Sequence, residues 1–246
     1  MRFSSASLFY VVRNHAVRCY LAALLAFSAG IAAAVWHYPG SYDWAYTVAT
    51  ALASEQRNPE GRAWMAGALC LSMVLLWPCV GALERRLRPS ANGAGRLAIG
   101  ALRFAIVCFA LLGAEGLLVR DLSKLFFKGH ELLALAGFLS TYLGVLILLA
   151  QLVLRQRLFT LTALLIASPL LAIGITQLWL YVNQRGLGWV RPNWRQMGIP
   201  IGLSFAFWQW LAIVFLWAGF GLLVFAGSQS AVRSRAARPT MPAGTA

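Results

Sequence analysis

A histidine and a carboxylate on neighbouring apolar segments, His130 and Glu115, have the clearest potential for chemistry in this sequence. The histidine side chain ionises near neutral pH, so it can exchange a proton, bind a metal or donate a hydrogen bond. If a reaction occurs, we expect His130 to be the general base and either Glu115 or Asp43 to orient its ring. The alternative is that His130 only caps a helix and hydrogen-bonds a loop carbonyl.

Further polar side chains are predicted to line a pocket that opens outward. Several lie in the long connection 37–64, and two glutamines lie within apolar segments. Such groups can also do no more than link helices, which stabilises by about 0.6 to 2 kcal/mol each. The predicted substrate-binding residues are Thr50, Ser54, Glu55, Arg57, Glu131, Gln177 and Gln209.

Neither a metal site nor a cofactor site is predicted. His15 and His37 lie at opposite ends of the first apolar segment, so the three histidines do not form one ligand set. Catalytic motifs such as G-x-S-x-G, H-E-x-x-H and a phosphate-binding loop are not found, and the four cysteines have no C-x-x-C spacing. Whether the protein is an enzyme stays open.

The composition excludes an ordinary soluble domain. The 246 residues are 60% hydrophobic and 11% charged, with a mean hydropathy of +0.70, whereas a soluble domain is about 25% charged. The net charge of +14 does not indicate nucleic-acid binding, because most Lys and Arg residues flank apolar runs. Such flanking charges are typical of membrane proteins.

Six apolar segments could each form a transmembrane helix, which needs roughly 20 residues. We therefore predict an all-α fold: a polytopic membrane protein with a six-transmembrane-helix bundle over 1–226 and a disordered cytoplasmic tail over 227–246. The first segment follows a long charged lead, which favours a retained helix over a cleaved signal peptide. The predicted spans are about 17–36, 62–82, 97–119, 131–153, 158–181 and 200–226.

The charge distribution predicts that both termini are cytoplasmic, in a bacterial-type inner (plasma) membrane. With that orientation, twelve Lys and Arg residues lie in cytoplasmic segments and eight in outer loops, in agreement with the positive-inside rule. Six of the seven acidic residues then lie at or near the outer face. Because acids orient membrane proteins poorly, their clustering is a clue to function.

The connection 37–64 is predicted to hold a short helix, either lying in the outer interface or tucked back into the bundle. Asn58, Pro59 and Glu60 resemble the start of a helix, with Asn58 as N-cap and Pro59 at the first helical position. The dense mixture of aromatic and polar groups before them suggests a lid over a pocket.

Short motifs add a family resemblance. The order Thr50-Ala51-Leu52, Pro59, and then His130-Glu131-Leu132 resembles the DRAM/Frag/Sfk-type six-helix membrane proteins and their uncharacterised prokaryotic relatives. The family usually has Ser where this chain has Thr50. The resemblance implies a role in lipid remodelling, lipid asymmetry or membrane stress.

From these observations we expect an integral membrane protein that binds or remodels a lipid or another amphiphile. The expected partners are membrane lipids and not nucleic acid, with a homo-oligomer or a membrane-protein partner as further options. The alternative function is a non-enzymatic transporter or a membrane-complex assembly partner.

Overall fold

The protein is helical throughout the residues that the computed structural model describes, namely 15–87, 93–118, 129–155, 157–184 and 199–236. These ranges contain six α-helices that are long and apolar enough to cross a membrane, and they contain no strand. The predicted six-helix fold is confirmed, and the chain is a multi-pass integral membrane protein. The helices are α1 His15–Trp36, α2 Arg62–Leu87, α3 Gly93–Leu118, α4 Gly129–Arg155, α5 Thr160–Gln184 and α6 Phe205–Ala236.

Short 3-10 helices lie in three of the connections: Ala49–Ala53 between α1 and α2, Arg157–Phe159 between α4 and α5, and Ile201–Leu203 before α6. The connection from α4 to α5 is the tight hairpin that its length predicts. We call the end of the bundle with Trp36 and His130 the outer end, following the predicted topology, and the opposite end the inner end.

The last helix is longer than predicted. It runs to Ala236, so residues 227–236, which we expected to be part of a disordered tail, are helical. Alanine, glutamine and arginine in this stretch are good helix formers even though they lack apolar periodicity. The rest of the predicted tail, 237–246, lies outside the described residues.

The packing follows chain order and then closes on the last helix. Each of α1, α2 and α3 packs against the next helix, while α6 contacts α1, α2, α4 and α5. α5 packs less extensively against α4 and α6 than the first four helices pack against one another. It exposes many large apolar side chains, such as Leu165 and Ile175. Exposed apolar side chains on a membrane-spanning helix face lipid, so they need no further partner.

Small residues allow α1, α2 and α3 to approach closely. A Cβ built on Gly30 of α1 would overlap the Cβ of Ala68 on α2. A Cβ built on Gly113 of α3 would lie 2.6 Å from Sγ of Cys70 and 2.8 Å from the carbonyl oxygen of Ala66. Such glycine contacts are typical of membrane helices, which associate through tight packing and interhelical hydrogen bonds.

Hydrogen bonds from side chains to main-chain carbonyls also join the helices. The Ser72 hydroxyl of α2 donates to the Ala23 carbonyl of α1 over 3.0 Å. The Tyr20 hydroxyl of α1 donates to the Trp217 carbonyl of α6 over 2.9 Å. These bonds fix α1 between α2 and α6, which positions the outer connection that follows it.

Candidate functional site

The structure brings together the predicted pair His130 and Glu115. Nδ1 of His130, in the first turn of α4, lies 3.1 Å from Oε2 of Glu115, near the outer end of α3. The contact forms because α3 and α4 are antiparallel neighbours. The side chains are 28% exposed for the histidine and 11% exposed for the glutamate.

This contact determines what the imidazole can offer to a ligand. An ionised carboxylate only accepts hydrogen bonds, so in a neutral ring Nδ1 carries the proton and Nε2 is an acceptor. Within the described ranges, Nε2 of His130 has no hydrogen-bond partner. With a neutral ring, the pair therefore presents an oriented acceptor at the outer end of α4.

Asp43, the other candidate for orienting His130, has a local role instead. Its Oδ1 accepts a hydrogen bond from the Ala45 amide over 2.8 Å, which forms a turn in the outer connection. Neither Asp43 nor Thr50 has a hydrogen bond or ion pair with His130 or Glu115 in the part of the chain that the structure describes. The predicted site thus divides into two neighbourhoods.

The second neighbourhood is the outer connection, which is fastened to the start of α6. Oε1 of Gln209 accepts a hydrogen bond from the Ala49 amide over 2.8 Å, at the first residue of the 3-10 helix. Gln209 was predicted to bind substrate, whereas the structure uses its carbonyl to anchor the loop. Sequence patterns give no signal for this contact, because its partner is a main-chain amide.

Three more hydrogen bonds fasten the connection to the segment from 199 to 210. Nε1 of Trp210 donates to the Thr47 carbonyl over 3.1 Å. The Tyr46 hydroxyl donates to the Ile199 carbonyl over 2.6 Å. The Ser204 hydroxyl donates to the Ala45 carbonyl. The connection is therefore docked on the start of α6 and the residues before it.

Aromatic rings fill the space between the connection and α6. Tyr42 and Trp210 both meet Trp44 edge to face, with ring centroids 4.9 Å and 4.7 Å away. The Tyr42 hydroxyl donates to the Thr47 carbonyl over 3.0 Å. Burial raises the pKa of the Tyr42 phenol well above its ordinary value, and the Trp210 side chain opposes this only in part.

Where a short interfacial helix was predicted, the structure has a five-residue 3-10 helix, Ala49–Ala53, so the predicted interfacial helix is not shown. Its residues Ala49, Ala51 and Leu52 are buried against the bundle, and Thr50 is partly exposed. The position of this segment relative to a membrane interface stays a prediction.

The start of α2 is organised by a buried asparagine. Oδ1 of Asn58 accepts a hydrogen bond from the Gly61 amide over 3.1 Å, as a capping side chain does, but α2 begins at Arg62 and not at the predicted Pro59. Its Nδ2 donates to the carbonyls of Ala34, over 2.9 Å, and Leu52, over 3.1 Å. One side chain thus joins α1, the 3-10 helix and α2.

The other predicted binding residues are not brought to the His130 pair. Glu55 forms an ion pair with Arg62 over 2.9 Å, and the Ser54 carbonyl accepts a hydrogen bond from the Asn58 amide. Arg57 is exposed in the outer connection, and Glu131 is exposed beside His130. Gln177 lies on α5, and no hydrogen bond between it and the pair is found among the described residues.

A groove of about 370 Å³ opens at the outer ends of α1 and α2. None of its lining residues belongs to the predicted site. Nδ1 of His37 lies 2.8 Å from the Ala33 carbonyl, and the His37 ring stacks on Trp64. The only sequence feature that could have indicated this groove is the aromatic run Trp36-His37-Tyr38. The groove is lined by Trp36, His37, Tyr38, Pro39, Pro59 and Glu60.

Arg103, the charged residue within α3, pairs with a carboxylate. Its Nη2 lies 2.6 Å from Oε2 of Glu84 on α2, and its guanidinium lies 5.9 Å from the centre of the Trp77 ring. The Arg103 side chain is 43% exposed. In the described ranges, no three His, Cys, Asp or Glu side chains are grouped to bind a metal ion.

No protein-family model matches the chain, and no curated protein or solved structure is significantly similar to it.

Proposed function

We propose that the protein binds a membrane lipid, or an amphiphile with a similar headgroup, at the outer end of α3 and α4. The observation that carries this proposal is the contact of 3.1 Å between His130 and Glu115. It orients Nε2 of the imidazole as an acceptor while the carboxylate is largely enclosed. Ionisable groups of this kind within membrane-spanning helices are expensive, which makes them candidates for function.

The chemistry of the acceptor limits the headgroup. Nε2 of a neutral His130 accepts hydrogen bonds, so the matching headgroup must offer an N–H or O–H donor. Phosphatidylethanolamine has such a donor in its ammonium group, whereas phosphatidylcholine has none. We therefore propose preference for a donor headgroup over a choline headgroup on the same acyl chains.

Binding is proposed here in preference to a reaction. No hydroxyl or thiol hydrogen-bonds to His130 in the part of the chain that is described. A general base needs the proton that it abstracts within about 2.6 to 3.2 Å, directly or through a water. Among the described residues, the side chains around His130 therefore supply an acceptor and an orienting carboxylate, and no nucleophile.

Two sequence features support the same proposal. The likeness of Thr50-Ala51-Leu52 and His130-Glu131-Leu132 to the DRAM/Frag/Sfk-type proteins implies a lipid-linked role. The positive-inside bias supports an inner-membrane protein with both termini cytoplasmic, which directs His130 to the outer leaflet. The alternative function, transport, would need a polar path that reaches Arg103. The ion pair of Arg103 with Glu84 is partly exposed and occupies the guanidinium, so it adds no support for such a path.

The test compares two substitutions of His130 that separate binding from folding. In His130→Asn, the side-chain amide can still donate to Glu115, but there is no atom in the place of Nε2. In His130→Ala both interactions are lost. The matched control is Ser168→Ala, because the Ser168 hydroxyl bonds only within its own helix, to the Leu164 carbonyl.

The proteins would be reconstituted in nanodiscs of mixed phosphatidylethanolamine and phosphatidylcholine, and the retained lipid would be counted by native mass spectrometry. We expect wild type and Ser168→Ala to retain phosphatidylethanolamine selectively, and both His130 variants to lose that selectivity. Equal retention by wild type and folded His130→Asn would overturn the proposal. Equal retention of both lipids by wild type would also overturn it.

A further inference from the structure

A second groove, of about 270 Å³, opens at the inner end of the bundle between α1 and α2. Its floor is apolar, with Ala16, Pro78 and Ala82. Its polar lining is entirely basic or neutral, with His15 from the first turn of α1 and Arg85 and Arg86 from the last turns of α2. The groove thus combines a positive rim with an apolar base.

The positive charge at this rim is not neutralised by the protein groups described. Arg85 has no hydrogen bond or ion pair within the described residues, and Arg86 has one, a long contact of 3.4 Å to the Val224 carbonyl. The neighbouring carboxylate, Glu84, is engaged by Arg103 at 2.6 Å. Among the described residues, neither guanidinium group is therefore paired with a carboxylate.

The direction of the Arg85 side chain is a separate observation. An arginine near the end of a membrane helix ordinarily extends toward water. Here Nη1 of Arg85 lies 3.6 Å from the position that a Cβ would take on Gly81, one turn back into the helix. The exposed guanidinium thus lies back along α2, as helical side chains do, beside the apolar residues that line the groove.

An apolar stripe continues from the groove toward the middle of the bundle. Leu71, Val74, Pro78, Ala82 and Arg85 follow one another at intervals of three and four residues, so they share one face of α2. Leu71 and Val74 are exposed on this face. The stripe offers a surface for an acyl chain directly below the basic rim.

From these features we infer that the inner groove binds an anionic phospholipid. Its phosphate lies between Arg85, Arg86 and His15, and one acyl chain lies along the exposed stripe of α2. Arginine binds phosphate oxygens through paired, charge-assisted hydrogen bonds. Basic pockets between membrane helices on the cytoplasmic side are suited to anionic headgroups. The volume lies just below the range of about 300 to 1,000 Å³ for small-molecule pockets, which fits one headgroup.

This site is independent of the outer site, because it uses other helix ends and a different headgroup chemistry. The purified protein would be titrated with phosphatidylglycerol or with phosphatidylcholine of the same acyl chains, and lipid binding would be followed by native mass spectrometry. Glycerol phosphate and inorganic phosphate, which carry the anion without acyl chains, form two further arms. The variant is Arg85→Gln, and its matched control is Arg157→Gln, an exposed arginine at the same end that does not line the groove.

We expect phosphatidylglycerol to bind more tightly than phosphatidylcholine, and Arg85→Gln to weaken its binding about tenfold, the effect of losing one hydrogen bond to a charged group. Arg157→Gln should bind like wild type. An equal loss in both variants would show diffuse charge attraction and overturn the site. Equal binding of both lipids, or equal competition by inorganic phosphate, would overturn it as well.

Discussion

The Asn58 side-chain amide donates a hydrogen bond to the Ala34 carbonyl over 2.9 Å, joining the turn that leads into α2 to the last turns of α1. The last carbonyls of a helix lack partners within the helix, so a side-chain donor satisfies one of them. Asn58 is fully buried, and the same side chain caps the turn that leads into α2. The outer connection is therefore held at its base by one residue.

Substitution of Asn58 should show which of its two functions matters more for stability. Asn58→Ala removes the cap and the donors, and we expect a loss of about 2 kcal/mol or more in unfolding free energy. Asn58→Asp keeps the acceptor for the Gly61 amide but places carboxylate oxygens against the carbonyls of Ala34 and Leu52. We expect it to be no more stable than Asn58→Ala. Denaturation in detergent measures the stability of both variants. If Asn58→Asp unfolds at the same midpoint as wild type, only the hydrogen bond to the Gly61 amide is needed.

Local patterns predicted those features that depend on neighbouring residues. Hydropathy gives the six helices because each span must be apolar over its own length. The capping role of the Asn58 side chain follows from an asparagine ahead of a helix, although α2 begins three residues later than Pro59. The meeting of Glu115 and His130 follows because short loops make consecutive helices antiparallel neighbours.

Contacts between residues that are far apart in the sequence could not be predicted in the same way. The bonds from Gln209 and Trp210 to the outer connection join residues 160 and 163 positions apart and end on main-chain atoms. Every residue has such atoms, so no residue type marks the partner. The sequence analysis therefore placed Asp43, Thr50 and His130 in one pocket. Among the described residues, no hydrogen bond or ion pair joins Asp43 or Thr50 to His130.

Glycines of α3 offer a test of the packing between α2 and α3. A Cβ on Gly113 would lie 2.6 Å from Sγ of Cys70, whereas a Cβ on Gly100 would have nothing within 4 Å. Gly113→Ala should therefore lower the thermal midpoint in detergent, since overpacking costs about 1 to 3 kcal/mol. Gly100→Ala, in the same helix, should be neutral or slightly stabilising. Equal midpoints for the two variants would contradict the close approach.

The docking of the outer connection on α6 predicts a local change in amide exchange. Trp210→Phe keeps a ring beside Tyr42 and Trp44 but removes the donor to the Thr47 carbonyl. The loss of about 1 kcal/mol should speed exchange of the amides in residues 45–54 roughly fivefold. Hydrogen–deuterium exchange with mass spectrometry measures this. Trp179→Phe, on the exposed face of α5, is the control and should leave these amides unchanged; unchanged exchange in Trp210→Phe would argue against docking.

Tyr42 predicts a dependence of stability on alkaline pH. Burial raises its pKa in the folded protein, so the folded state retains a proton that the unfolded chain loses above about pH 10. The resulting stability is complete below that pH and is lost as the pH rises toward the folded pKa. Tyr42→Phe should therefore be about 1 kcal/mol less stable than wild type near neutrality, because it lacks the hydrogen bond to Thr47.

The difference between Tyr42→Phe and wild type should then shrink at high pH. Denaturant midpoints in detergent at about pH 8 and about pH 11, on either side of the ordinary tyrosine pKa, measure it. Other buried tyrosines titrate in both proteins, so only the difference between them reports on Tyr42. A difference that stays constant with pH would mean that the Tyr42 phenol is accessible to solvent in the folded state.

The orientation of the bundle is the prediction on which both lipid sites depend. Twelve Lys and Arg residues against eight favour cytoplasmic termini, and that orientation directs His130 to the outer leaflet and Arg85 to the inner one. A reporter fused after Gly188, in the last outer loop, should be active only outside, and one fused at Ala246 only inside. If the chain has six spans, the two reporters must lie on opposite sides of the membrane, because α6 lies between the two fusion sites. If both reporters lie on the same side, α6 does not cross the membrane. If both are inverted, the six spans remain but the two headgroup specificities must exchange leaflets.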